Sequence, residues 1–408
     1  MQLVAYGAQD IYLTGNAQIT FFKVVYRRHT NFSIESIEQT FNGFVDFGRK
    51  VTVTISRNGD LIHKMFIRVV LPALKQDQNC ANWQGYVNSI GNALIKSVEI
   101  EIGGQTVDKH YSEWLEIFSE LNYDDAHYRS YKRMVGKYAS DVSLETNALE
   151  ERTYYIPLQF WFCRNPGLAL PLIALQYHEV KLNVEFRPIN ELTRSDVVIT
   201  GPPQDEFGNT AAIREGALWV DYIYLDTDER RRFAQVSHEY LIEQVQYNEA
   251  DGIKENSTNL SSRLQFNHPC KELVWMIRRL ENKEVNTLTG NDVFNFSSSV
   301  GGDTFKTAKF LFNGHDRFYE RDALYFREVQ PFSCHSRSPN KHIYLYSFGL
   351  KPEEHQPSGS CNFSRLDNAS LNLTFDSDTT EDSEVRVFGV NYNVLRIMSG
   401  MAGLAYSN

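Results

Sequence analysis

The sequence of 408 residues predicts an all-β protein made of two tandem eight-stranded jelly rolls, with a few short helices in loops. Three observations support this fold class: strict two-residue alternation of apolar and polar residues, turn signals rich in glycine and asparagine, and a weak internal repeat. Aromatic residues reach 13% of the chain, which favours β structure. The apolar fraction of 42% is enough for sizeable hydrophobic cores and argues against disorder.

Alternating segments are spread along the whole chain, and each places one face on a core and the other in water. The clearest alternating segments are 51–56, 98–102, 182–186 and 371–375. Turn signals occur at 58–60, 103–104, 301–302 and 313–314. Many short strands separated by such turns are typical of a β-sandwich or a β-barrel.

Helical periodicity is sparse. Residues 112–121 predict one helix, because their apolar side chains fall on one helical face. Ser112 is expected to cap its start, with Glu113 and Glu116 near the positive end of the helix dipole. A second short helix is predicted at 229–235.

The internal repeat divides the chain. A strand, a glycine-rich turn and a helical segment at 100–121 resemble the same order at 310–326, and 181–186 resembles 370–375. Chance similarity between any two alternating strands is the alternative. If the repeat is real, the chain divides into an N-terminal arm, a first jelly roll, a linker helix, a second jelly roll and a C-terminal tail. We expect these parts at 1–35, 36–226, 227–236, 237–397 and 398–408.

Charge and composition exclude several classes of protein. The net charge is −10, so we expect no direct binding of nucleic acid. The stretch 127–133 interleaves aromatic and basic residues, and we interpret it as a solvated loop or a subunit contact. The longest apolar stretch, 166–175, is too short for a transmembrane segment, and no signal peptide is recognised. Five scattered cysteines are therefore expected to be free thiols in a reducing cytoplasm.

No motif in the sequence predicts catalysis, cofactor binding or metal binding, so we expect a protein that is not an enzyme. The loop 43–50 approaches the pattern of a phosphate-binding loop, but Arg49 replaces its lysine, Lys50 replaces its hydroxyl residue, and a strand follows. We interpret it as a connection between strands. Cys163 lies in an aromatic run that suggests burial, not nucleophilicity.

Candidate metal ligands are isolated in the sequence. The pairs His178-Glu179, His268 with Cys270, and Cys334-His335 lack partners at the spacings of zinc sites. The acidic run 376–382 has no central glycine of a calcium loop, and a solvated surface loop is the preferred interpretation. No catalytic, cofactor-binding or metal-binding residue is therefore assigned.

Long strings at both ends and in the middle of the chain carry a family resemblance. Residues 7–15, 19–32, 57–61, 155–159, 391–400 and 403–408 resemble major capsid proteins of the nucleocytoplasmic large DNA viruses, with mimivirus-like and phycodnavirus-like proteins nearer than iridovirus ones. The resemblance implies a double jelly roll and a homotrimer that forms a pseudo-hexagonal capsomer. Such capsomers tile an icosahedral shell around an inner membrane.

The resemblance also implies the protein's partners and location. Neighbouring capsomers and minor capsid proteins under the shell are the expected partners, and the virion is the expected location, after synthesis and assembly in the host cytoplasm. Residues 1–35 would contact these partners; in the alternative, 19–25 form an extra strand of the first jelly roll.

Two other functions stay open on the sequence. One is a minor double jelly-roll component of the same kind of virion. The other is a glycan-binding or glycan-cleaving β-sandwich, since a fold alone does not fix function. A hydrolase would need two carboxylates about 5–10 Å apart, for which Asp221 and Asp226 are candidates.

Overall fold

A computed structural model describes residues 7–75, 84–138, 147–195, 201–284, 291–376 and 381–406. Cys80, the first six residues of the arm and most of the acidic run 376–382 lie outside the described residues. We call the part that ends at Leu225 the first half, and the part that begins at His238 the second half. Helix α6 (Thr227–Gln235) connects them.

The first half contains eleven strands among the described residues. These are β1 (Phe32–Gln39), β2 (Lys50–Thr54), β3 (Leu61–Leu71), β4 (Gln84–Tyr86), β5 (Ile95–Ile102), β6 (Gln105–Tyr111), β7 (Arg152–Pro157), β8 (Leu170–Pro171), β9 (Val180–Phe186), β10 (Thr193–Ser195) and β11 (Glu215–Leu225). Its α-helices are α1 (Ile11–Thr14), α2 (Ile90–Leu94), α3 (Ser112–Leu121), α4 (Asp125–Val135) and α5 (Trp161–Arg164). Short 3₁₀ turns lie at Pro166–Leu168, Leu172–Ala174 and Ile189–Glu191.

The second half has the same character. Its strands are β12 (His238–Ile253), β13 (Asn259–Arg263), β14 (Pro269–Arg279), β15 (Thr307–Phe312), β16 (His315–Asp316), β17 (Arg321–Asp322), β18 (Ile343–Ser347), β19 (Cys361–Asn362), β20 (Ala369–Thr374), β21 (Ser383–Met398) and β22 (Met401–Leu404). A π-helical turn at Tyr325–Val329 leads into α7 (Gln330–Cys334), and 3₁₀ turns lie at Leu280–Lys283 and Phe363–Arg365.

The two halves share one strand order. The first half has sheets in the order β1-β11-β3-β7 and β2-β9-β5-β6, and the second has β12-β21-β14-β18 and β13-β20-β15-β16. When the eight strands named for each half are renumbered 1 to 8 in chain order, the two sheets of both halves have the strand orders 1-8-3-6 and 2-7-4-5. Two facing antiparallel sheets with these crossovers form a jelly roll. The repeat seen in the sequence is therefore a repeat of topology, and the predicted fold class is confirmed.

Equivalent hairpins of the two halves use the same turn. Gly103 and Gly104 join β5 to β6 with φ of 60° and 86°, and Asn313 and Gly314 join β15 to β16 with φ of 52° and 80°. Positive φ at both central residues defines the type I′ turn, whose twist matches that of the paired strands. This turn is why the two segments look alike in the sequence.

The apolar core is continuous across the two halves. Its larger cluster combines side chains of the first half with Ile242, Val274, Phe388 and Val390 of the second. A separate cluster around Trp275 lies within the second half. The halves are thus packed on each other through apolar side chains as well as joined by α6.

Two predictions about helices need correction. Ser112 is the first residue of α3, not its cap: the cap position is Tyr111, with no side-chain cap hydrogen bond. The stretch 127–133 is not a loop but part of α4, which Asp124 caps by accepting a hydrogen bond from the His127 N–H at 2.8 Å. The aromatic residues of this stretch face inward, so their alternation with cations reflects an amphipathic helix.

No helix among the described residues is long and apolar enough to cross a membrane.

Candidate functional site: the arm and the junction between the halves

The N-terminal arm, residues 7–31, lies outside the sheets and exposes its apolar side chains. Phe21 is 89% exposed, Phe22 100% and Tyr26 86%. Apart from the single turn of α1, the described arm forms no helix or strand before Phe32. An apolar segment exposed to this extent is typical of a surface that another molecule covers.

The second part of the arm is basic. Lys23, Arg27 and Arg28 lie within a segment of six residues, in a chain whose net charge is −10. Charge of this sign is complementary to an acidic neighbour, and it sets the orientation of an encounter more than its affinity.

The arm leads directly into an edge strand. Among the described strands β1 pairs with β11 alone, from Phe32 opposite Leu225 to Gln39 opposite Leu218. Its second edge therefore carries unpaired backbone groups, which are a template for pairing with another chain. Ile34 on this strand is 54% exposed. The arm and the edge of β1 together form one continuous unpaired surface.

Helix α3 carries three carboxylates into the junction between the halves. Glu113, Glu116 and Glu120 recur at spacings of three and four residues, so they lie along one side of the helix. All three are buried. The apolar residues of the same helix enter the core, where the ring of Trp114 lies 5.7 Å from that of Phe388 in the second half.

Glu113 binds two arginines of the second half. Its Oε1 lies 3.2 Å from Nη1 of Arg278 and 2.9 Å from Nη1 of Arg386. Arg278 also reaches Glu384, with Nη2 at 2.5 Å from Oε1. Burial alone would raise the pKa of Glu113, but Arg278 and Arg386 lower it to about 2. The carboxylate is thus ionised at neutral pH and links a helix of one half to strands of the other.

Glu116 binds one lysine from each half. Its Oε1 lies 2.6 Å from Nζ of Lys137 and 2.7 Å from Nζ of Lys341. Burial alone would raise the pKa of Glu116, but the two lysines hold it far below its ordinary range. Lys137 also binds Glu120, which accepts a hydrogen bond from the N–H of Asn340 at 3.2 Å. Buried charges of this kind stabilise a fold only while every partner is present.

His335 forms a third charged contact at the junction. Its Nε2 lies 2.9 Å from Glu272, while its Nδ1 lies 3.2 Å from Glu353 and 3.0 Å from the amide oxygen of Asn122. Burial alone would lower the pKa of His335, but Glu272 and Glu353 raise it to about 9. The imidazole is therefore protonated at neutral pH and donates from both ring nitrogens.

The segment 57–61, one of the strings that carry the family resemblance, holds the end of the first half. The Nη2 atom of Arg57 donates to the carbonyl oxygens of Gln176 and His178 at 3.1 and 3.2 Å. Asp60 accepts from Nε of Arg230 on α6 at 2.9 Å. Sequence similarity in this segment thus corresponds to a contact with the connecting helix.

The end of the chain returns to the first half. Strand β22 pairs with β21, and the N–H of Tyr177 donates to the carbonyl oxygen of Gly400 at 3.0 Å. Gly400 has φ of +81°, and a Cβ there would lie 2.6 Å from the Tyr177 ring, so the turn requires glycine. Residues of the predicted C-terminal tail, 398–408, thus pair with β21 and contact the first half.

The candidate ligand residues of the sequence are not brought together. Across the described ranges, no group of three or more His, Cys, Asp or Glu is arranged to hold a metal ion. The Nδ1 atom of His178 accepts a hydrogen bond from the N–H of Ala402. Burial raises the pKa of the Cys163 thiol to about 12.

The loop 43–50 connects β1 to β2, as its sequence indicated.

The two candidate glycosidase carboxylates lie on different elements of the fold. Asp221 lies within β11, opposite Ser36 of β1. Asp226 caps α6 by accepting a hydrogen bond from the N–H of Glu229 at 2.9 Å. A helix-capping carboxylate is already engaged, so this pair does not support the hydrolase alternative.

Two family descriptions match almost the whole chain. "Major capsid protein N-terminus" matches residues 20–226, and "Large eukaryotic DNA virus major capsid protein" matches residues 229–403. The chain belongs to this family of capsid proteins. Among its relatives, the major capsid protein of Pyramimonas orientalis virus is 52% identical, covering 100% of this chain and 99% of that protein. That of Paramecium bursaria Chlorella virus 1 is 43% identical over the same shares.

Solved structures of the family agree with the fold. A chain of the quasi-atomic model of the PBCV-1 virus capsid superposes with a TM-score of 0.80 at 38% identity, covering 95% of this chain and 100% of that one. The resemblance stated from the sequence is confirmed, and the relatives are structural capsid proteins. The family membership gives the exposed arm and the open edge of β1 their significance as candidate assembly surfaces.

Sequence reasoning missed the residues of the junction. Glu113 and Glu116 were expected to interact with the dipole of their own helix, and Glu120, Glu272 and His335 had no assigned partners. One signal was available: carboxylates at spacings of three and four on a helix with a wide apolar face. This signal could not identify the cations: Lys137 lies on the next segment of the first half, whereas Arg278, Lys341 and Arg386 come from positions more than a hundred residues away.

Proposed function

We propose that the chain is the shell-forming subunit of a large double-stranded DNA virus and acts as a homotrimer with a pseudo-hexagonal outline. The observation that carries this proposal is the duplicated topology. Each chain supplies two units with the same strand order, fixed to each other by a common core and by buried ion pairs.

Symmetry explains why this arrangement suits a tile. A threefold axis acting on a chain with two similar wedges presents six similar flanks, which pack in a hexagonal lattice while the oligomer itself stays closed. The wedges must keep a constant angle for that lattice to be regular. The junction charges of α3 supply such rigidity, because they are buried and engaged on several sides.

The arm is the assembly element in this proposal. It docks on neighbouring capsomers or on minor capsid proteins under the shell, and its exposed aromatic residues supply the contact area. Its lack of strand structure and its exposure support this role over that of an extra strand in the first jelly roll.

The remaining parts of the proposal follow from the family. The chain contributes structure without catalysis and does not contact the genome directly. It is assembled in the host cytoplasm, around an inner viral membrane. The domain limits 1–35, 36–226, 227–236, 237–397 and 398–408 remain part of the proposal.

Mass in solution tests the central claim. We expect a particle of about 141 kDa, three times the chain mass of 47.1 kDa, by multi-angle light scattering. Obligate interfaces commonly bury roughly 2,000 Å² or more, so the trimer should persist at micromolar concentration. Negative-stain images should show threefold particles with a hexagonal outline. A stable 47 kDa species, with no trimer even after co-expression with viral folding factors, would contradict the proposal.

A further inference from the structure

A cavity of about 530 Å³ opens at the junction between the halves, beside α3 and α4. This volume lies within the roughly 300–1,000 Å³ of small-molecule sites. Met65, Trp114, Phe118 and Leu158 of the first half and Val390 of the second half line it. Its walls therefore come from both halves, and they are largely apolar.

Two cations at the cavity share one buried carboxylate. Arg164 and Lys271 both pair with Glu243, with nitrogen–oxygen distances of 2.9 and 2.8 Å. Glu243 is buried and bound on both oxygens, so both cations already have a partner. The group carries a net charge of about +1.

The carboxylates at the cavity are also engaged. Glu272 and Glu353 hold the imidazole of His335 between them, and this group of three carries about −1 when His335 is protonated. Lys64 is different: it lines the cavity, its side chain is exposed, and no described residue lies within ion-pair distance of it. The charges of the two groups cancel, so among the described residues that line the cavity Lys64 is the cation left without a partner.

We propose that this cavity binds an apolar monocarboxylate, of which a medium-chain fatty acid is the simplest case. Its carboxylate pairs with Lys64, and its chain lies against Trp114 and Phe118. An amphipathic anion matches both features of the site, an apolar wall and one unpaired cation.

A flexible acyl chain suits the walls better than a rigid body. Met65 and Met134 line the cavity, and unbranched thioethers adapt to irregular apolar shapes. The basic arm of a second copy is a poor occupant, because Lys23, Arg27 and Arg28 would approach Lys64 with like charge. Every residue of the proposed site belongs to one chain, so the proposal does not require residues from a second subunit.

Calorimetric titration of the full-length protein with sodium decanoate tests the proposal, in the oligomeric state in which the protein is isolated. We expect one decanoate per chain and a rise in the thermal midpoint, because a ligand that binds only the folded state stabilises it. Decyltrimethylammonium has the same chain with the opposite charge and is expected not to bind.

Two pairs of variants locate the site. Lys64→Gln should weaken decanoate binding by about tenfold, the usual order for a charged hydrogen bond, whereas Lys254→Gln, an exposed lysine outside the cavity, should leave it unchanged. Ser130 is an exposed residue of α4 that lines the cavity. Ser130→Trp should fill the space and abolish binding, and Ser130→Ala should retain it.

Each outcome of these experiments either supports or overturns decanoate binding in the cavity. Binding that Lys64→Gln and Ser130→Trp weaken, in variants whose melting without ligand is normal, supports the site. Three results would overturn it: no binding at millimolar decanoate, equal binding of the cationic analogue, or binding that Ser130→Trp does not change. If the trimer covered the cavity, no binding would be detected at millimolar decanoate, and this result would also overturn the proposal.

Discussion

At the scale of single residues, His335 links the stability of the protein to pH. Its pKa is raised from its ordinary value of 6.5 to about 9 by Glu272 and Glu353, against the opposing effect of burial. A group whose pKa is higher in the folded state stabilises that state fully below its unfolded pKa and loses the effect as pH rises through its folded pKa. The stabilisation from His335 is therefore complete below about pH 6.5 and lost as pH rises through about 9.

Replacing His335 with glutamine should reveal this dependence. We expect His335→Gln to lower the free energy of unfolding by roughly 3 kcal/mol at pH 6 and by much less at pH 10. Denaturant titrations at pH 6, 8 and 10 measure it. His127→Gln is the matched control, since His127 pairs with Asp124 on the exposed start of α4. Equal destabilisation by His335→Gln at all three pH values would contradict the ion-pair account.

Glu116 gives a second test at the residue scale. Glu116→Gln preserves shape but leaves Lys137 and Lys341 without their shared negative charge. Removing one partner of a buried ion pair typically costs roughly 3–5 kcal/mol. We therefore expect a destabilisation of that order in a urea titration at neutral pH.

The control for Glu116→Gln is the same change in an exposed pair. Glu239 lies 2.8 Å from Arg396, and both side chains are more than half exposed. Exposed pairs contribute little, so Glu239→Gln should change stability only slightly. If both variants destabilise the protein equally, the junction charges have no special role.

At the scale of elements, the alternation of apolar and polar residues in the sequence predicted the strands that have one buried face and one face toward solvent. The segment 182–186 lies in β9 and 371–375 largely in β20, where buried and less buried positions alternate. Strand β14 could not be found in this way, because nine of its eleven residues are buried. Its charged residues Lys271, Glu272 and Arg278 break the apolar pattern, and their partners lie far away in the chain.

Helix α4 shows a different limit of sequence reasoning. Its start and stop signals were present: Asp124 as the cap and Gly136 in the left-handed conformation that ends a helix. The polar composition of the stretch nevertheless favoured a loop in the sequence analysis. Only three positions of the helix are buried, Tyr128, Tyr131 and Val135, and these were too few to reveal an apolar face. For short helices, cap residues are better evidence than composition.

The arm provides the prediction at this scale. Deletion of residues 1–31 should leave the thermal midpoint almost unchanged, because the described arm residues are exposed. The trimer should still form, whereas particles should fail to form in a co-expression assembly assay. A drop of many degrees in the midpoint, or loss of soluble protein, would show that 19–25 belong to the core of the first jelly roll.

A matched pair of variants tests whether assembly requires the aromatic side chains of the arm or only the presence of the arm. The double change Phe21→Asp and Phe22→Asp keeps the arm but removes its exposed aromatic surface, and it should reproduce the assembly defect. Phe332→Asp alters an equally exposed aromatic residue, 85% exposed, on α7. Assembly should tolerate that change if the arm, and not exposed aromatic surface in general, makes the contact.

At the scale of the whole molecule, the halves are repeats that do not behave as independent units. The duplication was visible in the sequence because two similar hairpins and two similar strands share their turn and their alternation. The coupling between the halves was not visible. It rests on single contacts, such as Trp114 with Phe388 and Glu113 with Arg278, that join positions far apart in the chain.

Cooperative unfolding is the consequence of this coupling. Multidomain chains often unfold in steps, and the separate apolar cluster around Trp275 would allow the second half to persist alone. The shared core and the junction charges oppose such a step, since separating the halves would expose Phe388 and Val390 and leave Glu113 without its partners. We expect β9 of the first half and β20 of the second to lose hydrogen-exchange protection at the same urea concentration.

A single substitution at the junction should separate the two transitions. Glu113→Ala removes the carboxylate that Arg278 and Arg386 share, while the core around Trp275 contains none of these residues. In this variant we expect β9 to lose protection at lower urea than β20. Glu239→Ala, in an exposed pair, should keep the two transitions together. Separate transitions in the unmodified protein would mean that the halves are held at their angle by the trimer, not by the chain itself.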